Sequence, residues 1–449
     1  MQKTIWLLAI VTAVARAAPD AAAYPPNTVA STGTRDDITT RFSVYGQATY
    51  VEQDALGFHA PYSGPNSLSP HMDRETTDVT LFLGARLWPG AEMWVNPEID
   101  QGFGLDNTLG LAGFPSGEAY KIGKNQPYFR LPRAFVRQTL NLDDQTEPVD
   151  GGPNQFARYR SPNRLVVTIG KLSVVDLFDT NQYAHDPRSD FLNWAIVDAG
   201  AFDYAADAWG YTIGAAVEWY EGSWTLRAGV FDLSDVPNST RLDPGMHEFQ
   251  MVAEIEHRHE ILGAPGRVLL TAFDSRGRMG LLDDAVNLAR QTGAPVDITA
   301  VRRYRSRLGG SFGIEQAISA DVGVFARVSK AAGNVEAYEF TDIDRSFSTG
   351  VSVKGSEWKR PHDTVGLAAV VNGISAERER YLNAGGLGIL IGDGRLPDPG
   401  AERILESYYQ LSLGTWLQIT ADYQHVTNPA YNRDRGPVSI VSLRVHVQF

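Results

Sequence analysis

From Arg41 onward the chain alternates apolar and polar residues with period two, the spacing of strands whose two faces meet different surroundings. The final segment is the clearest. Val441, Leu443, Val445, Val447 and Phe449 fall on one face, and Ser442, Arg444, His446 and Gln448 on the other. A second segment sets Trp209, Tyr211, Ile213, Ala215, Val217 and Trp219 against Gly210, Thr212, Gly214, Ala216 and Glu218. Its apolar face carries aromatics at both margins and smaller residues between. Strands that span an outer membrane read this way, with about 10 residues, an apolar outer face and aromatic girdles at the two interfaces. A soluble sandwich strand also alternates but is usually shorter. The pattern therefore predicts Trp209 and Trp219 in opposite interfacial belts, Ile213, Ala215 and Val217 against lipid, and Gly214 in the lumen.

The same alternation marks 42–53, 79–87, 224–230, 249–257, 268–274, 308–314, 322–328, 347–353, 365–371 and 417–423, with less regular stretches near 91–99, 132–141, 163–171 and 405–413. Together they predict an all-β fold: a transmembrane antiparallel β-barrel of the outer-membrane porin type. About sixteen strands are expected, with eighteen as the alternative. Connections alternate in length. Glu221-Gly222-Ser223 and Gly414-Thr415-Trp416 are tight, whereas 276–305 and 427–438 are long, as short periplasmic turns and longer external loops require. Residues 281–291 have the pattern of a short amphipathic helix inside a loop. Closure of the barrel is expected between the last strand, ending at Phe449, and the first, near Phe42.

Ahead of the strands, a basic start at Lys3, an apolar run from Ile5 and Ala15-Arg16-Ala17 describe a secretory signal peptide over residues 1–17, with an alternative cut after Ala23. The run is shorter than the roughly 20 residues of a spanning helix. Residues 18–40 form a polar leader, and 41–449 a single barrel domain with no linker. The chain of 449 residues has 40 Lys+Arg, 53 Asp+Glu, a formal net charge of −13 and no cysteine. An acidic chain of this kind lacks the basic surface of a nucleic-acid binder. It has no disulfides, thiol nucleophile or thiolate metal site. His257 and His259 share a strand face without a third ligand beside them, and neither a G-x-S-x-G elbow nor a dinucleotide-binding glycine pattern occurs. The sequence names no metal, cofactor or enzymatic centre. Export of such a chain points to the outer membrane of a Gram-negative bacterium.

Several longer motifs add a resemblance. They include Ala60-Pro61-Tyr62-Ser63-Gly64-Pro65-Asn66-Ser67-Leu68, Leu81-Phe82-Leu83-Gly84-Ala85-Arg86-Leu87-Trp88, Asn96-Pro97-Glu98 and Gly113-Phe114-Pro115-Ser116-Gly117-Glu118-Ala119. Arg130-Leu131-Pro132-Arg133-Ala134-Phe135-Val136-Arg137, Phe191-Leu192-Asn193-Trp194, Ala201-Phe202-Asp203-Tyr204, Asp207-Ala208-Trp209-Gly210-Tyr211, Gly392-Asp393-Gly394 and Glu406-Ser407-Tyr408-Tyr409 follow. Over about 41–449 the set resembles the carbohydrate-selective porins of the OprB family. The resemblance implies an outer-membrane barrel passing sugars into the periplasm by diffusion, with Phe449 recognised by the barrel-insertion machinery. Its expected partners are mono- or oligosaccharides and outer-membrane lipids. The alternative function is a barrel that exports or binds a surface polysaccharide.

A sugar pathway needs ring faces for stacking and charged or amide groups for hydroxyls. Trp94, Asn96, Glu98 and Asp100 share one parity, and Arg133 shares a face with Arg137. Together with Arg130 these predict opposed acidic and basic ladders across a constriction. Arg130 precedes Pro132 and could instead lie in a turn. The irregular stretch from Asp176 to Asp207 is long enough to fold into the lumen and contribute Asp176, Asp179, Asn193 and Asp203. The other reading of that stretch is an external loop.

Overall fold

The computed structural model describes residues 40–448; the expected signal peptide, most of the leader and Phe449 lie outside the described residues. The strands are β1 (Phe42–Ala55), β2 (Met72–Trp88), β3 (Ala91–Gly102), β4 (Lys124–Asn141), β5 (Glu147–Val149), β6 (Arg158–Arg160), β7 (Arg164–Leu172), β8 (Thr212–Glu221) and β9 (Trp224–Asp232). They continue with β10 (Phe249–Ile261), β11 (Ala264–Met279), β12 (Arg303–Ala317), β13 (Val322–Ala331), β14 (Arg345–Gly355), β15 (Arg360–Gly373), β16 (Glu402–Leu413), β17 (Leu417–Thr427) and β18 (Val438–Gln448). Sixteen of them close a barrel, each antiparallel to its neighbours, with β1 paired to β18. Gln47 stands opposite Gln448 and Ala55 opposite Ile440. Closure leaves no strand edge in hydrocarbon, where an unpaired backbone group costs several kcal/mol. The two remaining strands, β5 and β6, form a separate hairpin within the β4–β7 connection.

Alternation decides which face meets lipid. Ile213, Val217 and Trp219 on β8, and Val441 and Leu443 on β18, are exposed, while their neighbours Thr212, Ala216 and Ser442 are buried. Trp219 sits at its margin as expected. Trp209 does not. It precedes β8 and turns into the barrel, because the Asp207 carboxylate accepts from the Trp209 and Tyr211 N–H groups (2.9 and 3.2 Å) and Gly210 takes φ +94°. Gly214 does face inward, but its lumen side is filled. A Cβ there would lie 2.4 Å from Cδ1 of Phe231 and 2.5 Å from the carbonyl of Val230.

Phe231 marks the main departure from a polar, water-filled lumen. The segment between β7 and β8, residues 173–211, folds into the barrel and packs there against inward aromatics of the wall. Phe191 contacts Tyr408 and Phe325 (ring centroids 5.0 and 5.9 Å), and Phe202 contacts Phe273 at 5.0 Å. A buried loop must have its backbone groups satisfied, and the wall's polar side chains do this. Glu406 accepts from the N–H groups of Leu192 and Asn193, and Glu402 from those of Ala112, Gly113 and Ala430. Arg327 donates to the carbonyls of Ile196, Asp179 and Ala184, and Arg444 to those of Pro187 and Asp190. The expected helix near 281–291 is present as Leu282–Thr292 in the β11–β12 loop, ended by Gly293 at φ +69°.

Candidate functional site

One of the spaces beside the insertion lies against β3 and β4. A cavity of ≈ 230 Å³ is lined there by Glu98, Arg133, Asp176, Arg188, Trp209 and Tyr211, with Phe114, Trp194, Tyr204 and Phe340 around them. Arg133 of β4 reaches this space, and a bulge in the strand sets Arg130 beside it. Asn96 pairs with Arg133 and Glu98 with Arg130, so two residues of β3 oppose three of β4. The extra residue falls at Leu131-Pro132, where proline has no ladder N–H to lose. The bulge brings Arg130, of opposite parity to Arg133, onto the lumen face. Arg130 is therefore on the wall rather than in a turn.

The acidic and basic ladders meet side by side on adjacent strands instead of facing each other across the pore. Arg130 Nη2 reaches Glu98 Oε1 at 2.9 Å and its Nε contacts Asp100. Thr80 donates to Glu98 at 2.7 Å and Tyr120 to Asp100 at 3.1 Å. Arg133 holds Asp176 with two bonds of 2.8 and 2.6 Å. Both guanidiniums also lie over aromatic faces: Arg130 is 5.1 Å from the Trp209 ring centroid, and Arg133 is 5.0 Å from that of Tyr211. Trp209 Nε1 donates to the Tyr128 hydroxyl at 3.0 Å, fixing the indole. Opposite them Arg188 reaches Glu118 at 3.4 Å, Asp186 at 3.7 Å and Asp78 at 3.9 Å.

Charge states follow these partners. Burial works against the Asp176 carboxylate, but Arg133 outweighs it and holds Asp176 below its ordinary range. Burial pushes Asp198 up to about 8, with Asp179 adding to the shift. It pushes His185, 3.8 Å from Asp198, down, and Arg327 pushes it further.

The predicted residues thus separate into three groups. Glu98, Arg133 and Asp176 line the cavity, and Arg130 and Asp100 stand behind Glu98 in its ion-pair group. Trp94 and Asn96 are fully buried, and Trp94 packs with Phe82, Phe135 and Phe156. Arg137 lies beyond them on Glu92 at 3.1 Å. Asp179, Asn193 and Asp203 hold the insertion in place. Asp179 takes the Ala199 N–H at 2.6 Å, Asn193 bonds Gly113 and Gln424, and Asp203 receives four N–H groups and Arg307. Arg188, Glu118, Tyr120 and Tyr211 are cavity residues that period-two reasoning missed. Arg188, Glu118 and Tyr120 lie in irregular segments with no periodicity to orient them, whereas the alternation of 209–219 assigns Tyr211 to the apolar outer face and the turn at Asp207 carries it inward with Trp209.

A closed sixteen-stranded barrel with an apolar belt and a charged, aromatic-lined interior is the architecture of an outer-membrane channel. Two solved structures align with this chain. Pseudomonas putida OprB at high pH aligns with TM-score 0.69 at 16% identity, covering 92% of this chain and 95% of that one. Pseudomonas aeruginosa OccK2 (OpdF) in complex with glucuronate aligns with TM-score 0.45 at 12% identity, covering 91% and 98%. No curated protein sequence matches. The chain belongs to the carbohydrate-selective porin, OprB family, whose profile matches residues 71–449. It is a channel of the Gram-negative outer membrane.

Proposed function

We propose that this channel is selective for carbohydrates, and that sugars cross it through the cavity between β2–β4 and the inserted segment on their way to the periplasm. One arrangement carries the reading. Arg130 and Arg133 each pair with carboxylates while stacking on Trp209 and Tyr211. Fixed forks of donors, acceptors beside them and ring faces at one place are what a sugar's hydroxyls and apolar face require. Family membership supports the same substrate class. Glu98, Asp100, Arg130, Arg133 and Asp176 are the proposed contact residues.

Single-channel conductance of the purified chain in planar bilayers, titrated with mono- and oligosaccharides, tests this. Block at millimolar sugar is the expected result. Arg133→Ala should weaken block and shift permeability towards cations, because Asp176 keeps its charge after losing its counter-charge. Unaltered block and selectivity would refute the assignment. The filling of the lumen by residues 173–211 favours a second reading, a barrel that binds or exports a surface polysaccharide. Monosaccharide block from both sides of the bilayer decides against it.

A further inference from the structure

The periplasmic connections are short except between β4 and β7, where 22 residues, 142–163, carry the β5–β6 hairpin. This hairpin folds back under the lumen. Phe156 is buried against Trp94 at 5.1 Å, and the Arg86 guanidinium lies over the Phe156 ring at 4.5 Å. Arg158 and Arg160 share one face of β6. Beneath them a single carboxylate, Glu92, pairs with Arg137 and Arg158. Glu92 Oε1 takes Arg137 at 3.1 Å and Arg158 at 3.3 Å, and its Oε2 takes the Phe156 N–H at 3.3 Å.

Four guanidiniums (Arg86, Arg137, Arg158 and Arg160) therefore gather around one acid, in a protein whose net charge is −13. Among the described residues, neither Arg86 nor Arg160 forms an ion pair with a carboxylate. The hairpin's own acids do not close the gap. Asp143 is engaged by Ser161 and Asn163, Glu147 is exposed although it stands opposite Arg160 in the register, and Asp144 and Asp150 make no ion pair with these arginines. Unused donors remain. Nε of Arg158, Nε of Arg160 and Oγ1 of Thr139 are buried without a partner. Arg158 and Thr139 border a cavity of ≈ 400 Å³ that is also lined by Arg86, Glu92, Asn141 and Tyr159. Burial lowers the proton affinity of Arg158, and the neighbouring arginines lower it further despite Glu92. A surplus of buried positive charge beside open space is stabilised by an anion.

We infer that this cluster is a binding site for an oxyanion, a carboxylate or phosphate group, at the periplasmic mouth of the channel. The inference deepens the carbohydrate reading and rests on it for one consequence: acidic sugars become preferred solutes, drawn from the Arg130–Arg133 cavity towards the exit. Galactose and galacturonate differ by one carboxylate and make a matched pair of probes. In bilayers, galacturonate should block the wild-type channel at about tenfold lower concentration than galactose, a charge-assisted contact's worth. The advantage should shrink as salt rises. Arg158→Gln/Arg160→Gln, both on the hairpin rather than the barrel wall, should bring the two sugars to equal potency with galactose block unaltered.

Equal potency in the wild type, or a galacturonate advantage that survives the double substitution, overturns the site. Should neither sugar block, the carbohydrate reading fails, and inorganic phosphate becomes the probe. Phosphate block lost in the double variant keeps the oxyanion site, and no phosphate block removes it. Anionic phospholipid retained by the wild type and lost by the variant, without galacturonate block, keeps the site and makes a lipid headgroup its occupant.

Discussion

Asp203 offers the sharpest test of how the lumen is built. Its Oδ1 accepts from the N–H groups of Glu339, Phe340 and Thr341 (3.2, 3.1 and 3.2 Å), and its Oδ2 from Tyr338 N–H at 2.6 Å and Arg307 Nη1 at 3.1 Å. Asp203 and Arg307 are both fully buried, and the next acid to Arg307 is Asp344 at 3.9 Å. Asp203→Ala strands a buried guanidinium, which costs about 3–5 kcal/mol, and leaves four backbone donors to find water. Asp203→Asn is predicted to cost less. Its amide oxygen can keep the three bonds at Oδ1 while only Tyr338 and Arg307 lose their acceptor. The weakened element is the β13–β14 loop, whose Phe340 stands against Trp194 and Tyr204 (5.1 and 4.6 Å) and lines the cavity. Amide hydrogen exchange over 336–341 should therefore accelerate in the order wild type, Asn, Ala. Single-channel conductance should rise in the same order and sugar block should weaken. Unchanged protection of 336–341 together with unchanged conductance in Asp203→Ala would refute the reasoning.

Other consequences can be checked independently. Ala215→Arg places a charge on the lipid face of β8 and should cost about 2–4 kcal/mol near the midplane, read by urea titration of the refolded barrel. Trp209→Ala removes the ring under Arg130 and should weaken sugar block by about 1 kcal/mol, roughly fivefold in the block constant. Asp198 and Glu339, both raised to about 8 by burial, bind more protons folded than unfolded between their ordinary range and pH 8. Their contribution to stability is thus present at lower pH and lost as pH rises through about 8. Between pH 7 and 9, where His185 is neutral folded and unfolded, thermal stability should fall, and Asp198→Asn should flatten part of that slope.

The barrel itself was legible along the chain, because a strand between lipid and lumen must alternate and a spanning strand has a fixed minimum length. Each of the sixteen stretches singled out by alternation became a wall strand, and the loop helix at 282–292 was found by its own period. The three-residue strands β5 and β6 are too short to leave such a signal. The lumen was only partly legible. Period two says that Glu98, Arg133 and Gly214 point inward, but not what stands in front of them. Arg130 reached the lumen face through a bulge that shifts parity by one residue. Trp209 left the belt because Asp207, two positions away, caps its backbone. Asp203 and Asn193 looked like solute ligands and are instead anchors, since their partners at 338–341, Gly113 and Gln424 are far away in sequence. Inward polar residues read the same whether they meet water, a sugar or a buried loop's backbone. Local alternation determines the wall; only closure of the barrel brings 173–211, 336–344 and the β4 arginines into one space and decides which of them remain free to meet a solute.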